Sequence, residues 1–420
     1  MTAVPTLAPG TAGPTSCCAE YAAVSRRGLL GGLAAVGAAT MIGGAVVSAG
    51  PAAAASASSV MVVLSLRGAA DGLSMVVPYT DPTYYAARPR IGIPADRLIL
   101  KDGTFGFHPA MAALAPLWNQ GRLATVQGTG LPAPNRSHFS AMEEVEDADP
   151  GSDVRSGWLN RLVGALPGGS PLQGFGLGGG VVPTSLVGPA QVMAGSDVDA
   201  VGFAGVDEWD HGGRLAALHR LWDGRTDSLG RAMASAFDSV SDFAPAQKTA
   251  NNKARYPDTD LGRALSEVAR IIRADVGVGV ITVDQGDWDM HSQLGTVEWG
   301  RMIGNAKELA EAMAAFFGDL GSQASKVTMV AFSEFGRRVV ENANYGLDHG
   351  FGNLMLLAGA GVKGGRHHGT LQPLTKTDDA DVPVTTDYRS VLSEVVTTRF
   401  GVSRASVFPG FTPETVGVMA

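Results

Sequence analysis

Four short apolar runs recur along the chain, at residues 60–66, 122–128, 276–283 and 327–332. Each is rich in Val, Ile, Leu or Met and stops at glycine or polar residues, the pattern of a strand buried on both faces. Helical periodicity fills much of the space between them, at 109–118, 260–274, 297–320 and 387–400, with apolar positions recurring at three and four residues. Such alternation predicts an α/β fold: a parallel-sheet core with right-handed crossovers and helices on both faces. Residues 353–357 read as a further strand and 78–90 as an extended loop. Residues 164–204 are rich in Gly, Pro, Val and Ser, and 207–255 are helical in pattern, with Trp209, Leu215, Leu218, Leu221 and Trp222 as a stripe. The stretch at about 164–258 is therefore expected to be an inserted lid region.

A second pattern lies just beyond the carboxyl end of each run. The 60–66 run leads into Arg67-Gly68-Ala69-Ala70-Asp71-Gly72, and the 276–283 run into Asp284-Gln285-Gly286-Asp287-Trp288-Asp289-Met290-His291. The 327–332 run gives way to Ser333-Glu334-Phe335-Gly336-Arg337, then to Asp348-His349-Gly350. The 122–128 run leads to Asn135-Arg136-Ser137-His138. In open α/β sheets, ligands collect at the carboxyl ends of the strands, where such loops converge. Asp71, Asp287, Asp289, His291, Glu334, Asp348 and His349 are thus candidate metal ligands, for Zn, Ca, Mg or Mn without distinction. Taken singly, each has a structural explanation: Asp71-Gly72 is a turn, Asp348 a cap, and Glu334 a partner for Arg337 or Arg338. Ser137 and His138 are the nucleophile candidates, with Arg136 or Arg337 placed to neutralise a transferring anion. The alternative for Ser137 is a helix cap.

Composition narrows the class. The 56 glycines and only 17% charged residues suit a large core joined by tight loops. A net charge of -8 excludes the basic surface that nucleic acid requires. The first residues read as an address: Arg26-Arg27 precedes a Gly/Ala-rich apolar run to about Val47, then A-x-A sites near Ala53 and Ala57. This predicts a twin-arginine signal over residues 1–57, export to the cell envelope or beyond, and no stable membrane span after cleavage; an uncleaved anchor is the alternative. Both cysteines, Cys17 and Cys18, fall inside it. His108, His211, His219, His367 and His368 are expected to be structural or solvated. The G-x-G-x-x-G at 174–179 neither follows a clear strand nor opens a helix, so it fails as a dinucleotide site.

The segments LRGAADGLSMVVPY from Leu66, YAARPRIGI from Tyr85, FGFHPAM from Phe105, NRSHF from Asn135, SGWLNRL from Ser156, WDMHSQ from Trp288, SEFGR from Ser333 and LDHGFGN from Leu347 resemble the DUF1501 family. Its members are exported bacterial proteins assigned to the alkaline phosphatase and sulfatase superfamily. The resemblance implies an alkaline phosphatase-like core and hydrolysis of phosphate or sulfate esters. It implies Asp71 as first ligand, the Ser137 loop as nucleophile region, Asp287, Asp289, His291 and Glu334 as middle ligands and His349 as the last. Where superfamily members usually show Asp-His, this chain has Ser333-Glu334, so one metal, or none, is expected rather than two. Arg337 would bind the ester anion. The implied partners are a small-molecule or polysaccharide ester and the twin-arginine export machinery. The rival is a catalytically silent member of the same superfamily, acting as an envelope or polysaccharide-binding protein.

Overall fold

In the computed structural model, residues 39–42, 45–48 and 56–420 are described, apart from 180, 204 and 207–210. In chain order the strands are β1 (Ala39–Ile42), β2 (Ala45–Ser48), β3 (Val60–Leu66), β4 (Val76–Val77), β5 (Gly106–Phe107), β6 (Leu123–Gly130), β7 (Gly174–Leu177), β8 (Met193–Gly195), β9 (Val280–Gln285), β10 (Val327–Phe332), β11 (Asn353–Gly359), β12 (Arg366–Gly369) and β13 (Thr386–Asp387). All but β4 and β5 join one sheet, in the order β1-β2-β8-β7-β9-β3-β10-β11-β6-β12, with β13 also on β6.

The middle of the sheet is parallel, β3 lying between β9 and β10, with Met61 opposite both Val280 and Thr328. Side chains alternate across it, as strand geometry requires. Val62 and Leu64 pack on the helices Asp260–Ala274 and Arg301–Asp319, while Met61 and Val63 face Trp158–Ala165 and Tyr388–Phe400. The two apolar clusters give three layers, a helical layer on each face. The fold is α/β, with a mostly parallel, mixed sheet.

β11 is the exception within the core, antiparallel to both β10 and β6. An antiparallel neighbour needs no crossover helix. The chain between β10 and β11 therefore stays at one rim of the sheet for its whole length, and that rim is where β3, β6, β9 and β10 all end. This departure from an all-parallel core keeps Glu334, Arg337 and His349 on the same edge.

Residues 164–258, expected as an insertion, contribute β7 and β8 to the main sheet, β7 lying parallel to β9. Beyond them come the helices Gly213–Trp222, with no buried residue, and Ser228–Lys248. The end of the apolar run, through Ser48, forms the β1–β2 hairpin on the edge of β8. Arg26, Arg27, Cys17 and Cys18 lie outside the described residues. Among the described residues, no helix is long and apolar enough to cross a membrane.

Candidate metal centre

The loop after β3 carries Gly68 and Ala69, both at positive φ, with their N–H groups turned onto one acceptor. That acceptor is Glu334, whose Oε1 takes Gly68 N–H at 2.9 Å and Ala69 N–H at 3.0 Å. The same oxygen takes the ring of His138, Nδ1 at 2.6 Å, and Ser333 donates to Oε2 at 2.9 Å. Burial alone would push the Glu334 carboxyl up, but the His138 hydrogen bond and the backbone hold it below its ordinary value. An ionised Glu334 accepts only, so the His138 proton sits on Nδ1 and Nε2 turns away from Glu334.

His349 and His291 are fixed in the same sense. His349 Nδ1 donates to the Arg136 carbonyl oxygen at 2.9 Å. His291 Nδ1 lies 3.1 Å from Asp348 Oδ1. Burial works against ionisation of Asp348, yet His291 and Asn342 hold its pKa below the usual range. All three Nε2 atoms then point at one another: His138 to His349 at 3.0 Å, and His291 to His349 at 2.8 Å. Asp289 Oδ1 completes the group, at 3.1 Å from His291 Nε2, 3.7 Å from His349 and 3.8 Å from His138.

Nitrogen lone pairs this close repel unless a proton or a cation lies between them. One proton is at hand: burial lowers the His138 pKa, but Asp289 and Glu334 outweigh it and raise the value to about 9. A single proton relieves one of the two nitrogen contacts, whereas a cation relieves both. Zinc bonds of 2.0–2.1 Å to tetrahedral ligands imply donor spacings of about 3.3 Å, and the observed 2.8–3.8 Å brackets that value. His138, Asp289 and His349 form a metal-spaced group among the described residues, with His138 buried and the other two half-buried, and His291 Nε2 lies 2.8 Å from His349 Nε2 and 3.1 Å from Asp289 Oδ1. Carboxylate or carbonyl partners on the outer nitrogens are the usual means of orienting metal-bound histidines. The donor set fits a divalent cation.

Arg337 braces this arrangement from beneath. Its Nη2 donates to Asp289 Oδ1 at 2.6 Å and to the Gly68 carbonyl at 2.6 Å, its Nε to Ala69 O at 2.7 Å and its Nη1 to Leu347 O at 3.0 Å. Its side chain is 1% exposed. The expected ester-anion contact is therefore replaced by a positioning one, because carbonyl oxygens and Asp289 engage the guanidinium on all sides. The segments carrying Arg337 and His349 run backbone against backbone, and a Cβ on Gly350 would lie 2.3 Å from the Arg337 carbonyl carbon. Glycine is the residue that admits this approach.

The rim thus brings together His138, Asp289, His291 and His349, with Glu334 and Asp348 behind two of the rings. Asp71 stands apart, pairing with Arg88 through both oxygens at 2.6 and 3.0 Å and capping the Gly72–Met75 helix. It is a structural ion pair, since both of its oxygens are already engaged by Arg88 and the helix cap. Asp287 is exposed, at φ 65, and its carbonyl oxygen accepts from Arg301 Nη2. Ser137 takes the N-cap position of His138–Asp147 with no side-chain cap bond, between Arg136, which supports His349, and His138 itself. Sequence reasoning places His138 among the nucleophiles and misses it as a donor; the signal that could have found it is its place after β6, at the same rim. Elsewhere, His108 is buried, accepts from Ala110 N–H, and is lowered to about 4 by burial. His367 lies on β12, its ring packed on Phe105, Phe107 and Trp118.

A family model described as a protein of unknown function, DUF1501, matches residues 58–395. The chain belongs to the DUF1501 family. Every residue of the histidine and aspartate cluster falls within the span matched by the DUF1501 model. No curated protein matches this chain. Similar solved structures include the C-terminal periplasmic domain of EcEptC from Escherichia coli in complex with Zn, at 11% identity and TM-score 0.39, over 87% of this chain and 92% of that one. Another is Ps i-CgsB, at 9% identity and TM-score 0.35, over 84% of this chain and 74% of that one. Both likenesses are too distant to support a functional reading.

Proposed function

We propose that this DUF1501 chain is an exported, metal-dependent hydrolase of phosphate or sulfate esters, of the alkaline phosphatase and sulfatase superfamily. The observation that carries the reading is the convergence of three Nδ1-anchored imidazoles and Asp289 at the carboxyl rim of a mostly parallel sheet. His138, His291, His349 and Asp289 would hold the cation. Three nitrogens and one carboxylate suit zinc better than calcium, magnesium or manganese, which prefer oxygen ligands. The bound cation would supply Lewis acidity toward an ester oxygen.

The chain's own groups do the rest. His138 is locked by Glu334 and Asp289 by Arg337, so the donors are preorganised. Ser137 lies between the two residues that tie its loop to the cluster, and its hydroxyl is the candidate attacking oxygen. Arg136, 39% exposed and paired with Asp381, is the cation available to meet the ester's negative charge. Bound metal is measured by mass spectrometry on purified protein, followed by rates on 4-nitrophenyl phosphate and 4-nitrophenyl sulfate. Stoichiometric metal and turnover that His349→Ala abolishes are expected. A metal-free protein with no turnover would overturn the reading in favour of a silent binding protein.

A further inference from the structure

We propose that an aromatic corner made by Trp299 and Tyr345 binds a pyranose ring, so that the substrate is a carbohydrate ester. The proposal rests on the hydrolase reading for the word substrate, but the corner itself is independent of the metal. Among the described residues seven large hydrophobic side chains are exposed, and two of them, Trp299 at 45% and Tyr345 at 36%, touch each other. Their centroids are 5.3 Å apart with planes at 62°. Burying such rings is ordinarily worth more than leaving them in water; here they project from the two loops that carry His291 and His349.

Those loops are built to hold the corner beside the cluster. Gln293 N–H donates to Asn344 O at 3.0 Å, Gly295 N–H to Tyr345 O at 3.2 Å, and Asn342 Nδ2 to His291 O at 2.9 Å. Tyr345 and Gln293 both hold left-handed backbone, at φ 53 and 56. Non-glycine residues there store strain, which clusters at functional sites. Arg90 lies 4.4 Å from the Tyr345 centroid and is tied to Glu341 at 2.5 Å, which fixes that ring from behind.

The chemistry of the rim selects the occupant. The two rings meet edge to face and remain exposed, so that together they offer an apolar surface on which the C–H face of a sugar ring can stack. The side chains of Gln293 and Asn344 are exposed, and no hydrogen bond involves them among the described residues, so their amides can pair with hydroxyl groups. A net charge of -8 disfavours a polyanionic nucleic acid. A sugar on the corner would present its ester to the histidine cluster one loop away.

The test is affinity electrophoresis of the full chain through native gels containing dextran, xylan, hydroxyethyl cellulose or chondroitin sulfate. Retardation in at least one gel is expected, weakened about five- to tenfold by Trp299→Ala. Tyr345→Asn should do the same, because asparagine keeps the left-handed backbone while deleting the ring. Leu229→Ala, exposed on the helix Ser228–Lys248, should change nothing. Absence of retardation from every gel, in protein that binds metal and turns over esters, overturns the sugar site and leaves hydrolysis standing. Retardation that survives both ring deletions also overturns it. Retention on a phenyl matrix alone marks an aryl occupant and overturns it too. Retardation of protein that holds no metal and turns over no ester keeps the corner and ends the hydrolase reading.

Discussion

Two aspartates stand at the same rim of the sheet, each hydrogen-bonded to a buried arginine, and they have opposite fates. Asp71 gives both oxygens to Arg88 and one of them also to Ser74 N–H, at 3.0 Å. Asp289 meets Arg337 through Oδ1, and that same oxygen faces three imidazole nitrogens. Both arginines are sunk among backbone carbonyls, Arg88 on those of Arg338 and Val339 and Arg337 on those of Gly68, Ala69 and Leu347. Residue type and position are nearly the same. What differs is whether imidazole nitrogens share the carboxylate, and that makes one pair a clamp and the other part of a donor set.

The sharpest way to break this contrast is to neutralise each aspartate. Asp289→Asn should cut metal affinity by more than about a hundredfold, beyond the 10–100-fold typical of outer partners, as read by titration against a chelator of known strength. Asp71→Asn should leave affinity per folded molecule unchanged. It strands a buried guanidinium, and breaking a buried pair costs about 3–5 kcal/mol, which a urea melt resolves. If Asp71→Asn removed the metal while leaving the melt alone, the distinction between the two pairs would be lost.

A smaller effect is expected one bond further out. Glu334→Gln keeps the shape but no longer demands a proton on His138 Nδ1, so the ring can present the wrong nitrogen. Metal affinity should fall by about 10–100-fold. An unchanged affinity would show that packing against Phe335, 5.0 Å away and stacked, orients His138 unaided.

Proton competition sharpens the same point. With its pKa raised to about 9, the metal-free His138 carries a proton that a cation must displace. Affinity should therefore fall about tenfold for each pH unit below 9. Stability of the metal-free protein runs the other way. The folded value lies above the unfolded one, so the contribution is fully present below about 6.5 and is lost as pH rises through about 9. Melting curves with and without chelator, from pH 6 to 10, should diverge as pH rises.

The legible part of this molecule is its strands and where they stop. Runs such as 327–332 are continuous and apolar because both faces are buried, and the polar residues after them have to lie at a rim. The run at 353–357 reads as a strand, but its direction is not legible: no local pattern distinguishes an antiparallel β11 from a parallel one when both faces are covered. The site is legible as a region and blurred as a ligand list. Asp71 and Asp289 look alike until Arg88 is seen to fill one of them, and Arg88 is placed by the helix Pro82–Ala87, in a stretch that the sequence reads as an extended loop. Arg337 reads as an anion binder because a cation near a strand end is as consistent with display as with burial. The carbonyl oxygens that engage it belong to backbone, which carries no sequence signal at all.

The smallest effect concerns the cation that remains accessible once Arg337 is accounted for. Arg136 is 39% exposed and its partner Asp381 is 18% exposed. Ion pairs open to solvent contribute about 0–1 kcal/mol, so Arg136→Ala should barely move the urea midpoint. The carbonyl of residue 136, which orients His349, survives the substitution because it is backbone, and metal affinity should stay within about twofold of wild type by the same weak-pair reasoning. Any larger loss must then come from the ester's side of the site. A raised KM at unchanged metal content would place the guanidinium on the anion, whereas unchanged KM and kcat would leave Arg136 as a surface partner of Asp381, and the ester charge would have to be met by the cation held among the histidines.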